Sequence, residues 1–554
     1  PGTRAEHARA RTAGACRKRP RPREPGREPM STVVPPRTRR GRWPEITLLL
    51  LAGAIGVGAY YLVWTGLGNA GAPTTGADAA GAGTAALPPS FALVVGAGAA
   101  LVFACHLLIR ALCPYADPVL FPCAIALNGL GLAMIYRVDA AAETDHARSQ
   151  LILTAGALVF FAITILAVRN YRVLQNYMWT SLIAGVVLLL LPLSPLGRTL
   201  NGSRLWIAVG GMSFQPAEVA KICFAVFFAA YLVAERDNLA LAGPKILGIR
   251  LPKARHILPV LIAWALCMGV LVFERDFGTA LLFFGLFVAM LWVATEQVSW
   301  LAIGGILTVG GVWFISTTVS HVQARFAIWL NPFDPELYDA VGGSYQVVQG
   351  LFGMASGGLF GAGLGRGYPN LVYAAHSDFI YASFAEELGL VGVGAILCIY
   401  LLLISRGMRV ALESRDGFGK LLASGLSFVL GLQCFIVIGG VTRIIPLTGL
   451  ALPFLAHGGS ALLTNWIIIA LLIRMSHTAR RPEEARPLPT TDELAILRGN
   501  ADGGNDEGDD DARRAPRGAG SSAGGVHSAN AANSPTGESR NSTAGGARTE
   551  VVRP

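Results

Sequence analysis

The chain has 554 residues, 53% of them hydrophobic and only 14% charged, with a mean hydropathy of +0.50. Soluble proteins carry about a quarter of their residues as Asp, Glu, Lys and Arg, so a water-soluble enzyme of two or three domains is excluded and a polytopic membrane protein is expected. The net charge of +10 comes largely from N-terminal arginines, which read as a cytoplasmic retention signal rather than a nucleic-acid surface.

In chain order, the first 44 residues are basic and without apolar periodicity. The first plausible start is Met30, so residues 1–29 are expected to be a fragment or to precede a wrongly placed start. The apolar run at 46–64 follows Arg37, Arg39, Arg40 and Arg42. It is long for a signal peptide and is expected to be a retained helix. Further runs lie near 90–112, 118–136, 150–168, 177–196, 215–234, 256–273, 278–295, 298–318, 380–405, 419–441 and 449–475. Each approaches the roughly 20 apolar residues that a bilayer core of about 30 Å requires. The resulting fold is an all-α polytopic membrane protein of about twelve helices. From residue 477 to 554 the chain turns Gly, Ser, Ala and Asn-rich around an acidic patch at Asp506–Asp511, and a disordered cytoplasmic tail is expected. The eight cysteines lie singly, with no CxxC pair, and suggest neither a disulfide framework nor a zinc site.

Alternating crossings from a cytoplasmic N-terminus put Arg169 and Arg172, the cluster Arg236–Arg255, and Arg406, Arg409, Arg415 and Lys420 inside, and the Lys/Arg-free stretch 65–89 outside. That obeys the positive-inside rule, and an even count leaves the tail in the cytoplasm. The expected location is therefore the plasma membrane, with both termini cytoplasmic. The same alternation exposes one long outer loop at about 319–379. Its amphipathic stretches, with Phe326, Trp329, Val347 and Phe352, are expected to lie along the membrane or fold over the bundle.

Ionisable groups at membrane depth are costly and read as functional by default. Glu218 and Lys221 share a helix face three residues apart; a buried pair that only fixes helix register is the competing reading. Around them, on the outer side, fall Arg204 and Trp206, then Asp276, then Asp334 and Asp339 flanking Pro335, then Tyr345 and Gln346. Asp378, Glu386, Arg443 and Ser460 complete the set. An outer cavity that mixes cations with carboxylates suits a lipid-linked anionic substrate: Arg and Lys neutralise a pyrophosphate, and an Asp deprotonates a hydroxyl nucleophile.

Seven stretches, in this order and on this side, resemble the SEDS proteins (shape, elongation, division and sporulation), which include RodA, FtsW and SpoVE. They are Gly202-Ser-Arg204-Leu-Trp206-Ile, Phe214-Gln215-Pro216-Ala-Glu218-Val-Ala-Lys221, Asp276-Phe-Gly278-Thr279, Gly343-Ser-Tyr345-Gln346, Ser377-Asp378-Phe379-Ile380, Glu386-Glu387-Leu-Gly389, and Pro446-Leu-Thr448-Gly449 through Gly458-Gly459-Ser460. The likeness covers roughly residues 118–476, a ten-helix core with two additional helices ahead of it at 45–117. Asn128–Arg137 and the extra helices look like the RodA-type members of high-GC actinobacteria.

The resemblance implies a peptidoglycan glycosyltransferase polymerising lipid II from undecaprenyl-pyrophosphate-linked glycan, with a class B penicillin-binding protein as partner. It points to elongation and cell shape rather than division. It also implies an acidic residue in the long loop as the base. Asp334 keeps the family's Asp-Pro pairing and Asp339 keeps the distance to Tyr345; Asp339 is preferred because the Gly-Ser-Tyr-Gln anchor is firmer. Arg204, Lys221 and Arg443 are expected to hold phosphates, with Glu218 orienting Lys221, and a divalent cation (Mg or Mn) is a chemical expectation. The family's usual Gln-Pro before Asp276 is Glu274-Arg275 here, and its usual Ser-Tyr before Gly-Gly-Ser is Ala456-His457. A lipid II flippase and a division-type member of the same family are the alternatives.

Overall fold

The structure, a computed structural model, describes residues 43–70, 91–200, 203–209, 212–236, 245–246, 249–250, 254–340 and 342–482. The expectations placed on residues 1–42, on 71–90, on Asn201-Gly202 and on the tail from 483 lie outside the described residues.

Each of the twelve apolar runs falls on a helix. They are α1 (Trp43–Ala70), α2 (Phe91–Leu112), α3 (Leu120–Ala142), α4 (His146–Ala167), α5 (Met178–Leu190), α6 (Pro216–Ala234), α7 (Ala254–Glu274), α8 (Phe277–Thr295), α9 (Ser299–Thr318), then α13 (Ile380–Glu413), α14 (Gly417–Val441) and α15 (Gly459–Arg480). Between α9 and α13 the long loop forms three shorter helices, α10 (Ser320–Leu330), α11 (Pro335–Asp339) and α12 (Tyr345–Gly357). Eleven helices among the described residues are long and apolar enough to cross a bilayer, and α7 adds the apolar stretch Leu261–Glu274. Helix is the form these runs must take, because hydrocarbon offers no partner for backbone N–H and C=O.

Two stretches depart from the sequence expectation. The segment before α6 is a three-stranded antiparallel sheet, β1 (Gly197–Leu200), β2 (Ser203–Val209) and β3 (Met212–Phe214), with Arg198 opposite Trp206. The last helix begins at Gly459 rather than near 449. Residues 442–458 stay non-helical, with prolines at 446 and 453 and positive φ at Arg443, Gly449 and Phe454. Helix α13 also breaks: Gly389 sits at φ 67°, ψ −173°, a region open to glycine and closed to a residue with a Cβ.

Helices α3, α6, α14 and α15 form the buried centre, while α9 and the outer faces of α1, α2 and α5 expose side chains such as Ile306, Trp313, Val57 and Ile183. For a bundle in a bilayer these are lipid-facing surfaces. At one end, where α1 starts, ion pairs join distant segments. Asp117 meets Arg480 at 2.7 Å and Arg406 at 3.6 Å, Arg480 meets Glu413 at 2.6 Å, and Arg172 meets Asp416 at 3.1 Å. The basic residues expected to set topology are thus also structural clamps here. The opposite end, the loop end, carries the sheet, α10–α12 and the 442–458 segment. The seven described cysteines are all free.

Candidate functional site

Lys221, only 1% exposed, projects from α6 into the middle of the bundle. Its ammonium donates to Glu218 Oε2 at 2.5 Å, Gln433 Oε1 at 2.9 Å and Asn465 Oδ1 at 3.3 Å. An ammonium has three donors, and all three are used. Gln433 passes the connection on, donating from Nε2 to the Ala451 carbonyl at 2.9 Å. The Glu218–Lys221 pair expected from their spacing therefore forms, and α14 and α15 complete it. In this arrangement Lys221 has no donor left for a phosphate.

Nearer the loop end, Asp276 caps α8, accepting from Thr279 N at 3.0 Å, Thr279 Oγ1 at 2.6 Å and Gln215 Nε2 at 3.3 Å. Burial pushes its carboxyl above the ordinary range, an effect opposed by the Thr279 hydrogen bonds and by the Arg325 guanidinium. Burial does the same to Asp378, opposed by Ser377 and again by Arg325. Arg325, on α10, donates to the Leu447 and Thr448 carbonyls at 3.1 and 3.2 Å. One guanidinium thus ties α10 to the 442–458 segment, and Asp276 and Asp378 act on it electrostatically without a direct ion pair. Arg325 is not among the residues expected from the sequence. Its signal was a single cation in an otherwise apolar face, beside Val322, Phe326 and Trp329.

Arg443 binds the end of α10. It donates from Nε to the Trp329 carbonyl at 2.7 Å and from Nη2 to the Leu330 carbonyl at 2.8 Å, while Trp329 Nε1 returns a bond to the Arg443 carbonyl at 3.1 Å. Helix C-terminal carbonyls attract cations, which accounts for the pairing, and three of the five guanidinium N–H groups stay available. Beside it lies an open surface groove of about 430 Å³ lined by Leu330, Asn331, Pro332, Phe333, Asp334, Pro335 and Arg443. Asp334 caps α11 by accepting from Glu336 N at 3.0 Å and is exposed. Asp339, also exposed, ends α11 and is not among the residues lining that groove.

The remaining expected residues are spread over the same end. Tyr345 starts α12 with its ring 5.3 Å from that of Tyr338, and Gln346 donates to the Tyr373 carbonyl at 2.9 Å. Glu386 accepts from Tyr368 N at 2.7 Å, and Ser460 is buried in the first turn of α15. Arg204 lies apart in β2, donating to the Ser194 carbonyl at 2.8 Å, beside a half-buried Trp206. A residue outside the expected set, Glu387, is gripped by Arg137 Nε at 2.8 Å and by the N–H groups of Gly365 and Gly367 at 2.9 and 3.2 Å.

A helical membrane bundle with buried charges under a folded loop defines the class, and comparison identifies the family. A family model described as "Cell cycle protein", spanning FtsW, RodA and SpoVE, matches residues 118–481. The chain belongs to this family. It is 46% identical over 391 residues to the peptidoglycan glycosyltransferase RodA of Mycobacterium tuberculosis, covering 69% of this chain and 82% of that one. It is 43% identical over 406 residues to the RodA of Mycobacterium leprae, covering 71% and 86%. A solved chain from a study of a peptidoglycan synthase complex shares the fold at a TM-score of 0.51 and 24% identity, covering 66% of this chain and 99% of that one.

Proposed function

We propose that this protein is a peptidoglycan glycosyltransferase that polymerises lipid II at the outer face of the cytoplasmic membrane, for wall elongation and cell shape. The activity rests on membership of the family and on the 46% identity to a relative of that name. The outward direction of the loop end, with both termini cytoplasmic, rests on the distribution of Lys and Arg. A class B penicillin-binding protein as crosslinking partner belongs to the same proposal.

The observation that carries the mechanism is that Asp334 and Arg443 line one open groove at the loop end. The 4-hydroxyl of an acceptor GlcNAc loses its proton to Asp334 as its oxygen attacks the anomeric carbon of the donor. The bond from that carbon to the pyrophosphate oxygen breaks, and undecaprenyl pyrophosphate leaves with the electron pair. The free N–H groups of Arg443 face the charge that develops there, which is where preorganised donors are most effective. Arg204 is a more distant contributor to phosphate binding. Lys221 and Glu218 act from beneath, as a fixed dipole that holds α6, α14 and α15 in place, while Arg325, in the field of Asp276 and Asp378, holds α10 to the 442–458 segment. Trp206, Tyr345, Gln346, Glu386 and Ser460 shape the walls. Among the described residues no group of three or more His, Cys, Asp or Glu side chains is arranged to hold a metal ion.

The groove supports testing Asp334 first, with Asp339 as the alternative base. With labelled lipid II and the partner present, Asp334→Asn is expected to lower polymerisation by about 10²-fold or more, the range of general-base catalysis, while Asp339→Asn retains most activity. The opposite ranking moves the base to Asp339, and polymer from the double variant removes the proton-transfer scheme.

A further inference from the structure

The helices α1 and α2 precede the region matched by the family model, which starts at residue 118. Yet α1 is not a loose appendage. Ala52, Ala59 and Val63 are buried, and with Gly56 and Gly66 they form one stripe at helical spacing. Midway along the stripe α1 meets α3 with almost no space between backbones: a Cβ on Gly56 would lie 3.2 Å from Gly129 Cα. Higher up, Tyr60 packs on Tyr136 at a ring separation of 4.6 Å.

Toward its loop end, the same stripe leaves α3 and presses on residues 361–367, a glycine-rich strap. A Cβ on Gly66 would lie 2.5 Å from the Leu364 carbonyl oxygen and 3.0 Å from Gly365 Cα. Gly365, at φ +86°, answers with a Cβ position 2.9 Å from the Val63 carbonyl oxygen. Both positions require glycine. The strap's opposite face wraps the start of α13. Gly365 N and Gly367 N donate to Glu387, the Gly367 carbonyl accepts from Arg137 at 2.6 Å, and Tyr368 N donates to Glu386. Ala362 N and Gly363 N bond the carbonyls of Glu386 and Glu387 at 3.0 and 2.9 Å. Glu386 in turn lies against α12, where a Cβ on Gly353 would sit 3.4 Å from its Oε2. Helix α12 begins with Tyr345, whose ring packs on Tyr338, the chain neighbour of the candidate base Asp339.

We propose that α1 braces the strap 361–367 and that Gly66 and Gly365 are positioning residues for glycosyl transfer at the loop end. This rests on the glycosyltransferase reading above. The N-terminal helix α1 fixes one wall of the strap, so that Glu386, Glu387 and α12 keep one arrangement while substrate and product pass.

The full-length protein with its proposed partner is assayed on labelled lipid II, unaltered and as Gly66→Ala, Gly66→Leu and Gly53→Leu. Gly53 faces open space on the exposed side of α1 and serves as control. Displacement by about 1 Å far from the chemistry can cost up to about a hundredfold in rate. Gly66→Leu is therefore expected to lower kcat about tenfold or more, and Gly66→Ala by less, with KM little changed. Amide exchange in 361–368 is expected to rise in the same order, and Gly53→Leu is expected to match the unaltered protein. Should Gly66→Leu not fold, Gly66→Ala carries the comparison. Polymerisation by Gly66→Leu within twofold of normal overturns the proposal, as does a loss of rate with unchanged exchange in 361–368 or an equal loss in Gly53→Leu. If the unaltered protein makes no polymer, the glycosyltransferase reading fails, and the exchange data alone then decide whether α1 braces the strap.

Discussion

Lys221 shows how a single buried charge is made tolerable. Its three N–H groups meet one carboxylate and two amide oxygens on three helices. Removing one partner of a buried pair leaves the other uncompensated and costs about 3–5 kcal/mol, whereas replacing both with apolar groups costs far less. Lys221→Met alone is therefore expected to lower the thermal midpoint in detergent more than the double variant Glu218→Gln, Lys221→Met. Equal losses would show that the pair has no energetic coupling. The spacing of Glu218 and Lys221 made their pairing legible in the sequence. Gln433 and Asn465 were not legible as its partners, because they arrive from 212 and 244 residues away and a lone amide in an apolar helix does not state what it faces. Asp334 and Asp339 remained alternatives for a related reason: both precede Gly343-Ser344-Tyr345-Gln346, and only the folded loop puts one of them along an open groove with Arg443.

Three connections meet at a cluster of imidazoles. His146 begins α4, His376 lies just before α13, and His457 lies just before α15; their rings stand 4.1 to 5.7 Å apart. His457 N donates to the His376 carbonyl at 2.8 Å, and its ring Nε2 bonds Ser149 Oγ at 3.0 Å. Burial first, and then the neighbouring rings, push His376 and His457 down to about 4, against a weaker opposing pull from Asp139. A folded-state value below the unfolded one near 6.5 means the folded form prefers the neutral ring. The stability that follows is complete above about pH 6.5 and is lost as the pH falls toward 4. The thermal midpoint is expected to drop across that window by more in the unaltered protein than in His376→Gln, His457→Gln. Parallel curves would show that these rings do not set the acid response. Helices were the most legible elements, since run length alone defines them in a bilayer. The sheet at 197–214 was not: its strands are short, and Gly202, Gly210 and Gly211 look like loop punctuation. The true start of α15 was also hidden, because 449–458 is apolar enough to pass as helix although Pro453 and the backbone at Gly449 and Phe454 forbid it.

On the scale of the molecule, the two ends differ in kind. The end where α1 starts is closed by Asp117, Arg406, Arg480 and Glu413, which bind the α2–α3 turn to α13 and α15. The loop end has an open groove and a layered set of helices and strands. This asymmetry suits an enzyme that works from one side better than a carrier needing access from both. The orientation has a direct check: in intact cells, a membrane-impermeant thiol reagent is expected to label Arg366→Cys at the loop end and to spare Arg409→Cys at the other. Labelling of Arg409→Cys alone would invert the topology.

The buried ammonium of Lys221 also carries a message about synthesis. The chain is made from its N-terminus, so α6 is made with Glu218 and Lys221 long before Asn465, which lies 244 residues beyond Lys221. Until α15 is made, α6 holds a polar pair in hydrocarbon with part of its hydrogen bonding unmet, and Asp117 waits even longer for Arg480. The final helix therefore closes the molecule in time as well as in space. A nascent chain stopped before Gly459 presents quality-control proteases with an unfinished bundle, recognisable by the charges it has not yet been able to hide.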